Sequence, residues 1–538
     1  MVNGERVIGD WRLVQFFGLV QNKSLRLNQS DVWQPFGFLL AAVAAGVLLV
    51  WLPLPWAVGL VAGTAVFLLI VIYPVLGLAL ALLAAPLGAW ESAAFGSSLL
   101  DSGQFFILLT IAVWLGRGLS RRRLMIPHTF LNVPLAIFLL VTAVSLLNAP
   151  SLPFGLREWL KWAEIVLIML MVVDLRLPAS SSPHLLTPSP LHRVTLSPPH
   201  PLIFLIILLL AGFAQALIGI WQFALRGDGP EHFLVLGRFY RAYGTFEQPN
   251  PFGGYMNLTA LLALGVAVGL ITAVWQRWRQ GETFSWRLAG ALLAVGLVAV
   301  IASLALIFSW SRGAWLSFGA GTAVLILFWP KKLWQGVLLL AVGGMLFLGS
   351  VQAGLVPASV TERITSFSQD LRLGDVRGED INDANYAVLE RLAHWQAAVD
   401  MARENLWLGV GFGNYEPAYA DYALLNWPYP LGHAHNYYLN LVAEVGVVGL
   451  LAYLVLWTAV FWQTIRLLRR LDWPVRGIAL GLLAVWAAIS VHHLVDKLYV
   501  NNIYIHLGVM LGLLQLLEIG DWRLEIRRKR LKSPVSNL

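Results

Sequence analysis

The sequence predicts an all-α fold: a polytopic integral membrane protein with about 12–14 transmembrane helices and a long outer-side loop that contains an amphipathic helix. Three observations predict it. Of 538 residues, 58% are hydrophobic and 12% charged, against roughly 25% charged in soluble proteins, which leaves too few charges to cover a water-facing surface. Apolar residues fall in runs of 16 to 25, the length that crosses a hydrocarbon core about 30 Å thick at about 1.5 Å per helical residue. Basic residues alternate in density from one connection to the next, as in a chain threaded back and forth through a bilayer.

Residues 1–35 are mixed and moderately basic, with no short apolar core followed by a small-residue cleavage site, and read as a cytoplasmic tail. Apolar windows then run at 36–52, 56–72, 74–91, 102–117, 130–148 and 156–175, the N-terminal group of helices within 36–175. Pro74 blurs the border between the second and third. Residues 176–200 (RLPASSSPHLLTPSPLHRVTLSPPH) read as a disordered cytoplasmic linker; its His184, His192 and His200 lack regular spacing and a nearby carboxylate, so they do not suggest a metal site. A second group, 201–353, has windows at 201–225, 251–275, 287–308, 312–330 and 335–353. The loop 354–435 follows, with 82 residues, eleven Asp and Glu, five Arg and no Lys. Inside it, apolar residues at helical spacing predict an amphipathic helix from about Asn385 to Leu406. The run GVGFGNY after it lacks the strand–glycine–helix context of a nucleotide site and is expected to end the helix and turn the chain. Windows at 436–463, 477–495 and 503–519 form the C-terminal group within 436–519, and 520–538 is a basic cytoplasmic tail. No internal repeat is visible.

Fourteen windows put both termini on one side. Assigning alternate segments to that side collects 25 of the 37 Lys and Arg, so the termini are expected in the cytoplasm and the 354–435 loop outside. The net charge of +8 then reports orientation in a membrane, with membrane lipids and no nucleic acid as partners. The absence of cysteine excludes disulfides, thiolate metal sites and cysteine nucleophiles.

With this orientation, three polar stretches meet at the outer boundary. GRFYRAYGTFEQPNPFGGY (237–255) carries Arg238, Arg241, Glu247 and Asn250 just before a span. FSWSRGAWLSFG (308–319) puts Arg312 in a tight turn between two spans. The long loop brings Arg391 on its helix and GHAHNYYLNLVAEVGVVGL (432–450) into the next span. Guanidinium groups stay charged and offer forked donors that match phosphate oxygens, and a neutral His can take a proton from a hydroxyl. Arginines with a titratable His at one interface therefore suit substitution at a lipid-linked diphosphate, the arginines holding the leaving group and the His activating an acceptor hydroxyl. Each residue also has a plainer role: Arg312, Arg238 and Arg241 could reach lipid headgroups, and Arg391 could sit on a solvated helix face. His433 and His435 resemble a metal pair, but a third ligand is not evident in the sequence, so no metal or other cofactor is expected. Glu444, about two turns into a span, should be paired or face a cavity; His492, His493 and Asp496 carry the same expectation.

These residues resemble the O-antigen ligase and polymerase superfamily of bacterial membrane glycosyltransferases. The resemblance rests on SRGAW (311–315), on ERLAHWQAA leading to GVGFGNY, and on HNYYLNLVAEVGVVGL (435–450), in that order, with RAYGTFEQPNPFGGY upstream; it covers about 238–455. It implies an undecaprenyl-diphosphate-linked glycan as donor, a glycan or lipid-core hydroxyl as acceptor, and a metal-independent, inverting transfer on the outer face. By position, Arg312 and Arg391 match the family's pyrophosphate-binding arginines, Arg241 matches less closely, and His435 matches the proposed catalytic base. Arg238, His433 and Glu444 are supporting candidates, and His433 is a second candidate base. Ligation and repeat-unit polymerisation share this donor chemistry. The alternative is a small-anion, bicarbonate-like transporter, which would instead favour charges near the membrane midplane on broken helices.

Overall fold

The computed structural model describes residues 50–96, 100–120, 126–176, 201–283, 285–363, 375–382 and 385–532, with single positions at 43, 46, 47 and 122. The N-terminal tail, most of the 36–52 window, the linker after Arg176 with its three histidines, and the chain's last six residues lie outside the described residues. Met1–Ile72 forms one compact unit and Tyr73–Leu538 a second. In the first, α1 (Leu54–Ile72) is an apolar helix.

In the second unit, every window from the third onward is occupied by helix. The first of these breaks inside: α2 (Pro74–Ala84) passes through a 3-10 turn at Ala85–Leu87 into α3 (Gly88–Phe95), because Pro86 has no N–H to continue the ladder. Then come α4 (Ser102–Ser120), α5 (Asn132–Ser145), α6 (Leu152–Arg176) and α7 (Pro201–Ala224). A two-residue hairpin, β1 (Leu234–Val235) and β2 (Phe239–Tyr240), pairs Leu234 with Tyr240 and Val235 with Phe239 in antiparallel register. It leads to α8 (Pro249–Arg279), α9 (Trp286–Phe308), α10 (Arg312–Phe328) and α11 (Leu333–Gln352). The amphipathic helix of the long loop is α12 (Tyr386–Glu404), close to the expected bounds, followed by the short α13 (Tyr415–Ala418). The C-terminal helices are α14 (Tyr437–Leu468), α15 (Val475–His492) and α16 (Ile503–Lys532).

Among the described residues, ten helices are long and apolar enough to cross a membrane, while 132–148 and 312–328 are shorter apolar helices. The chain is a multi-pass membrane protein. One expected span differs in character: α6 starts at Leu152, ahead of the 156–175 window, and is not among the ten. Its first turns carry Glu158 and Lys161, and Glu158 is buried against Lys497 rather than facing lipid.

The core sits around α8 and α15, which are buried along most of their lengths. They approach backbone to backbone, because a Cβ at Gly265 would collide with the main chain of Gly481, the small-residue contact through which membrane helices gain packing. Hydrogen bonds bring the ends of α8, α9, α10, α14 and α15 together. Ala242 N–H donates to the Phe308 carbonyl at 2.9 Å, Asn257 Nδ2 to the Ala314 carbonyl at 3.0 Å, and Tyr437 N–H to the His493 carbonyl at 2.8 Å. This end of the bundle carries the polar stretches singled out in the sequence.

Candidate active site

Arg312 is the first residue of α10, and only Ser309, Trp310 and Ser311 separate it from α9. So tight a reversal needs a left-handed residue: Trp310 has φ 53°, which is costly for a large side chain. Ser311 caps α10 by accepting from Ala314 N–H at 3.4 Å. Two other arginines hold the turn. Arg241 follows β2 and donates from Nε to the Ser309 carbonyl at 2.9 Å and from Nη2 to Asn250 Oδ1 at 3.2 Å; Asn250 is fixed in the first turn of α8, which opens on Pro249. Arg363, in the helical stretch 358–363, donates from Nη2 to the Trp310 carbonyl at 3.3 Å. Arg391 lies on α12, its Nη1 3.4 Å from the Ala387 carbonyl.

The four guanidiniums act on one another. Burial first, then the charges of Arg363, Arg391 and Arg312, push Arg241 down to about 9; burial, then Arg312 and Arg391, push Arg363 down to about 10. All four are half-buried. Arg238 stays outside the group, exposed, with its guanidinium 5.4 Å from the Phe239 ring centroid. Glu247 is also exposed.

The histidines stand on a strained connection into α14, with Gly432 at φ 79° and His435 at φ 52°. Asn436 then caps the helix, accepting from Tyr438 and Leu439 N–H at 3.0 and 3.1 Å. His435 N–H donates to His433 Nδ1 at 3.0 Å. That bond fixes the neutral tautomer: His433 Nδ1 is an acceptor, so its proton is on Nε2, which faces Asp496 Oδ1 at 3.5 Å. His435 Nδ1 faces the same oxygen at 3.8 Å, a polar contact longer than a hydrogen bond. Burial holds His433 down to about 3 against the pull of Asp496. Burial alone would raise Asp496, but His435 and His433 outweigh it and hold the carboxyl below the usual carboxylate range.

Two contacts join the arginines to the histidines. On α12, His394 lies three residues beyond Arg391, one helical turn, and its ring centroid is 5.8 Å from that of His435. It is buried, with Nδ1 2.9 Å from the Tyr415 hydroxyl, and burial with His435 holds it down to about 4. On α10, a Cβ at Gly313 would come within 2.7 Å of Val495, the neighbour of Asp496, and Ser317 Oγ lies 3.3 Å from His492 Nδ1. Arg241, Arg312 and Arg391 thus come together, and both the arginine and histidine groups lean on the segment 492–496.

Asp496 is the third metal-type donor that the sequence did not reveal: donor atoms of His433, His435 and Asp496 all lie within 4.8 Å of one another. The tautomer works against a metal there, because the His433 nitrogen facing the centre carries the proton while the other accepts the backbone bond.

Beneath the histidines lies a charged layer. Lys497 Nζ is 2.9 Å from Glu158 Oε1, and Lys161 Nζ is 2.8 Å from Glu158 Oε2. Burial opposes the Lys497 charge, and Glu158 and Glu444 outweigh it. Glu444 is 2% exposed; its Oε1 accepts from Tyr415 N–H at 3.2 Å, while its Oε2 is buried without a hydrogen bond. It precedes a break in α14 at Gly446 (φ 65°, ψ −170°). The run GVGFGNY differs from its expected part: α12 has already ended at Glu404, and the run docks on this break. Val410 and Gly411 N–H donate to the Ala443 and Glu444 carbonyls, each at 2.9 Å, and Val447 N–H donates to the Leu406 carbonyl at 2.8 Å. Those N–H groups are occupied and cradle no phosphate.

Sequence reasoning missed Arg363, His394, Glu158 and Lys497, and it found Asp496 without its partners. The i, i+3 spacing of Arg391 and His394 was the one available signal.

Residues 297–454 match the family model described as O-antigen ligase. The matched stretch contains Arg312, Arg363, Arg391, His394, His433, His435 and Glu444, while Arg241 and Asp496 lie outside it. No curated protein matches the chain.

Proposed function

We propose, for a chain whose residues 297–454 match the family model described as O-antigen ligase, that it is a membrane glycosyltransferase that transfers a glycan from undecaprenyl diphosphate to an acceptor hydroxyl on the outer face of the inner membrane. The observation that carries this reading is the convergence of four arginines and an Asp-oriented histidine at one end of the bundle. Arg312 and Arg391, with Arg241 behind them, hold the diphosphate. Their forked donors stabilise the negative charge that grows on the leaving oxygen.

His435 is the base. His433 has one nitrogen accepting a backbone N–H and the other protonated toward Asp496, so it has no lone pair to offer. His435, with Nδ1 toward Asp496 and 19% of its side chain exposed, keeps Nε2 for the acceptor. In the proposed step His435 Nε2 takes the hydroxyl proton and the acceptor oxygen bonds to the anomeric carbon from the face opposite the diphosphate. The bond from that carbon to the phosphate oxygen breaks, and its electron pair leaves with undecaprenyl diphosphate. The anomeric configuration inverts. No step calls on a metal. Ligase and polymerase use this same half of the reaction and differ in the acceptor.

The break in α14 beside buried Glu444 is the feature that favours small-anion transport, since broken helices form ion sites in transporters. Here, however, backbone groups at the break are bonded to residues 406–411, which leaves fewer of them for an ion. Reconstitution with a diphosphate-linked glycan tests the two: transfer lost in Arg312→Ala and His435→Ala supports the glycosyltransferase, whereas anion uptake without transfer supports the transporter.

A further inference from the structure

The connection from α15 to α16 carries the carboxylate that both histidines face, in a stretch, 496–498, without regular secondary structure. Asp496 N–H is bonded to the His492 carbonyl at 3.0 Å, which holds the backbone; the carboxylate is held by the next residue. Lys497 N–H donates to Asp496 Oδ1 at 2.8 Å, the same oxygen that stands 3.5 Å from His433 Nε2 and 3.8 Å from His435 Nδ1. The Lys497 ammonium is in turn 2.9 Å from Glu158 Oε1 on α6. Three contacts in series therefore join α6 to His435: Glu158 to Lys497, Lys497 to Asp496, and Asp496 to His435.

Glu158 is a firm anchor for this series. Its other oxygen is 2.8 Å from Lys161 Nζ, one turn along α6. Gly413 packs so closely that a Cβ there would come within 2.7 Å of the Glu158 Cβ. The glycine run is itself tied to the helices before it, because Phe412 N–H donates to Ser145 Oγ at 3.1 Å and Ser151 N–H to Asn414 Oδ1 at 2.8 Å. The side chains of Lys497 and Glu158 are only 8% and 6% exposed. A buried ion pair gives up two hydration shells, so it contributes little net stability over apolar side chains of similar volume. What its short, directed contact does supply is one defined geometry, here that of the backbone N–H that holds Asp496.

We propose that Lys497 and Glu158 are positioning residues for the transfer reaction: their ion pair sets Asp496, and through it the orientation in which His435 meets the acceptor hydroxyl. The inference rests on the reading of His435 as the base. Neither residue touches substrate, so donor binding by the arginines is separate from it.

The test uses the full chain in nanodiscs and compares the parent with Glu158→Gln and with the double variant Glu158→Gln, Lys497→Met, in which Met fills the space of the lysine and Gln keeps an acceptor for Lys161. Single-turnover transfer from an undecaprenyl-diphosphate-linked glycan, affinity for undecaprenyl diphosphate and the unfolding midpoint are measured for each. Glu158→Gln leaves the Lys497 charge buried without its partner and should lower both rate and midpoint. The double variant removes the stranded charge, so its midpoint should return close to that of the parent. Its transfer should stay roughly 10- to 100-fold down, the effect of a small misplacement in a reacting geometry, at unchanged donor affinity. Parent-like transfer in the double variant would overturn the proposal. So would a midpoint that stays low, or a donor affinity that falls with the rate, either of which makes the pair a scaffold only. A parent that transfers no glycan would refute the transferase reading. The separation of Asp496 Oδ1 and His435 Nδ1 in a structure of the double variant then decides this inference, upheld by a change of about 1 Å or more and overturned by a smaller one.

Discussion

His433 and His435 are two residues apart and differ in role because of one backbone hydrogen bond, from His435 N–H to His433 Nδ1. His435→Ala is expected to lower transfer about 10²- to 10⁴-fold, while His433→Gln, which can still donate to Asp496, should retain most of it; initial rates with a fixed donor concentration check both. Asp496→Asn should lower kcat with little change in donor affinity, because it disturbs the orientation of His435 and leaves the arginines alone. Acid sensitivity also belongs to single residues. His394 is held down to about 4 and His433 to about 3, so between their unfolded value near 6.5 and those values the unfolded chain binds protons that the native chain does not. Stability is therefore full above about pH 6.5 and falls as pH drops toward 4. For His394 the loss is on the order of 3 kcal/mol at the acid end, and His394→Asn should flatten the melting-temperature curve across that window.

Elements place these residues. The helix α14 breaks at Gly446, two residues beyond buried Glu444, and residues 406–411 bond the backbone there. Gly409 has φ 66°, and a Cβ there would collide with the Glu444 carbonyl group. Gly409→Ala should therefore destabilise the protein by about 2 kcal/mol or more, seen as a lowered unfolding midpoint together with loss of transfer. At this scale the sequence was legible where a rule of periodicity applied. The apolar runs gave the helices and the amphipathic pattern gave α12. The break in α14 was not legible, because its compensating partners lie some forty residues upstream in a glycine-rich run whose local pattern says only that the chain turns. The 3-10 turn at Pro86 was not read from the sequence, where 74–91 was one continuous window.

Across the whole molecule, charge scarcity identified a membrane protein, and the order of motifs pointed to the family whose model matches residues 297–454. Arg312, Arg391 and His435 could be found this way because each sits in a recognisable run. Arg363, His394 and Lys497 could not, since each acquires its role from residues far away in sequence: Trp310, His435 and Glu158 respectively. The topology expected from the basic residues predicts that a tag at either terminus is labelled only after the membrane is opened from the cytoplasmic side, while a cysteine introduced at exposed Leu425 is labelled from outside by an impermeant maleimide. The central claim is that the arginine group and His435 form one centre for glycan transfer. Its most direct test is the single-turnover rate of transfer from an undecaprenyl-diphosphate-linked glycan in proteoliposomes, for the parent, Arg312→Ala and His435→Ala. The account predicts transfer by the parent, with donor binding lost in Arg312→Ala and with donor bound but transfer abolished in His435→Ala. Transfer at the parent rate in both variants would contradict it.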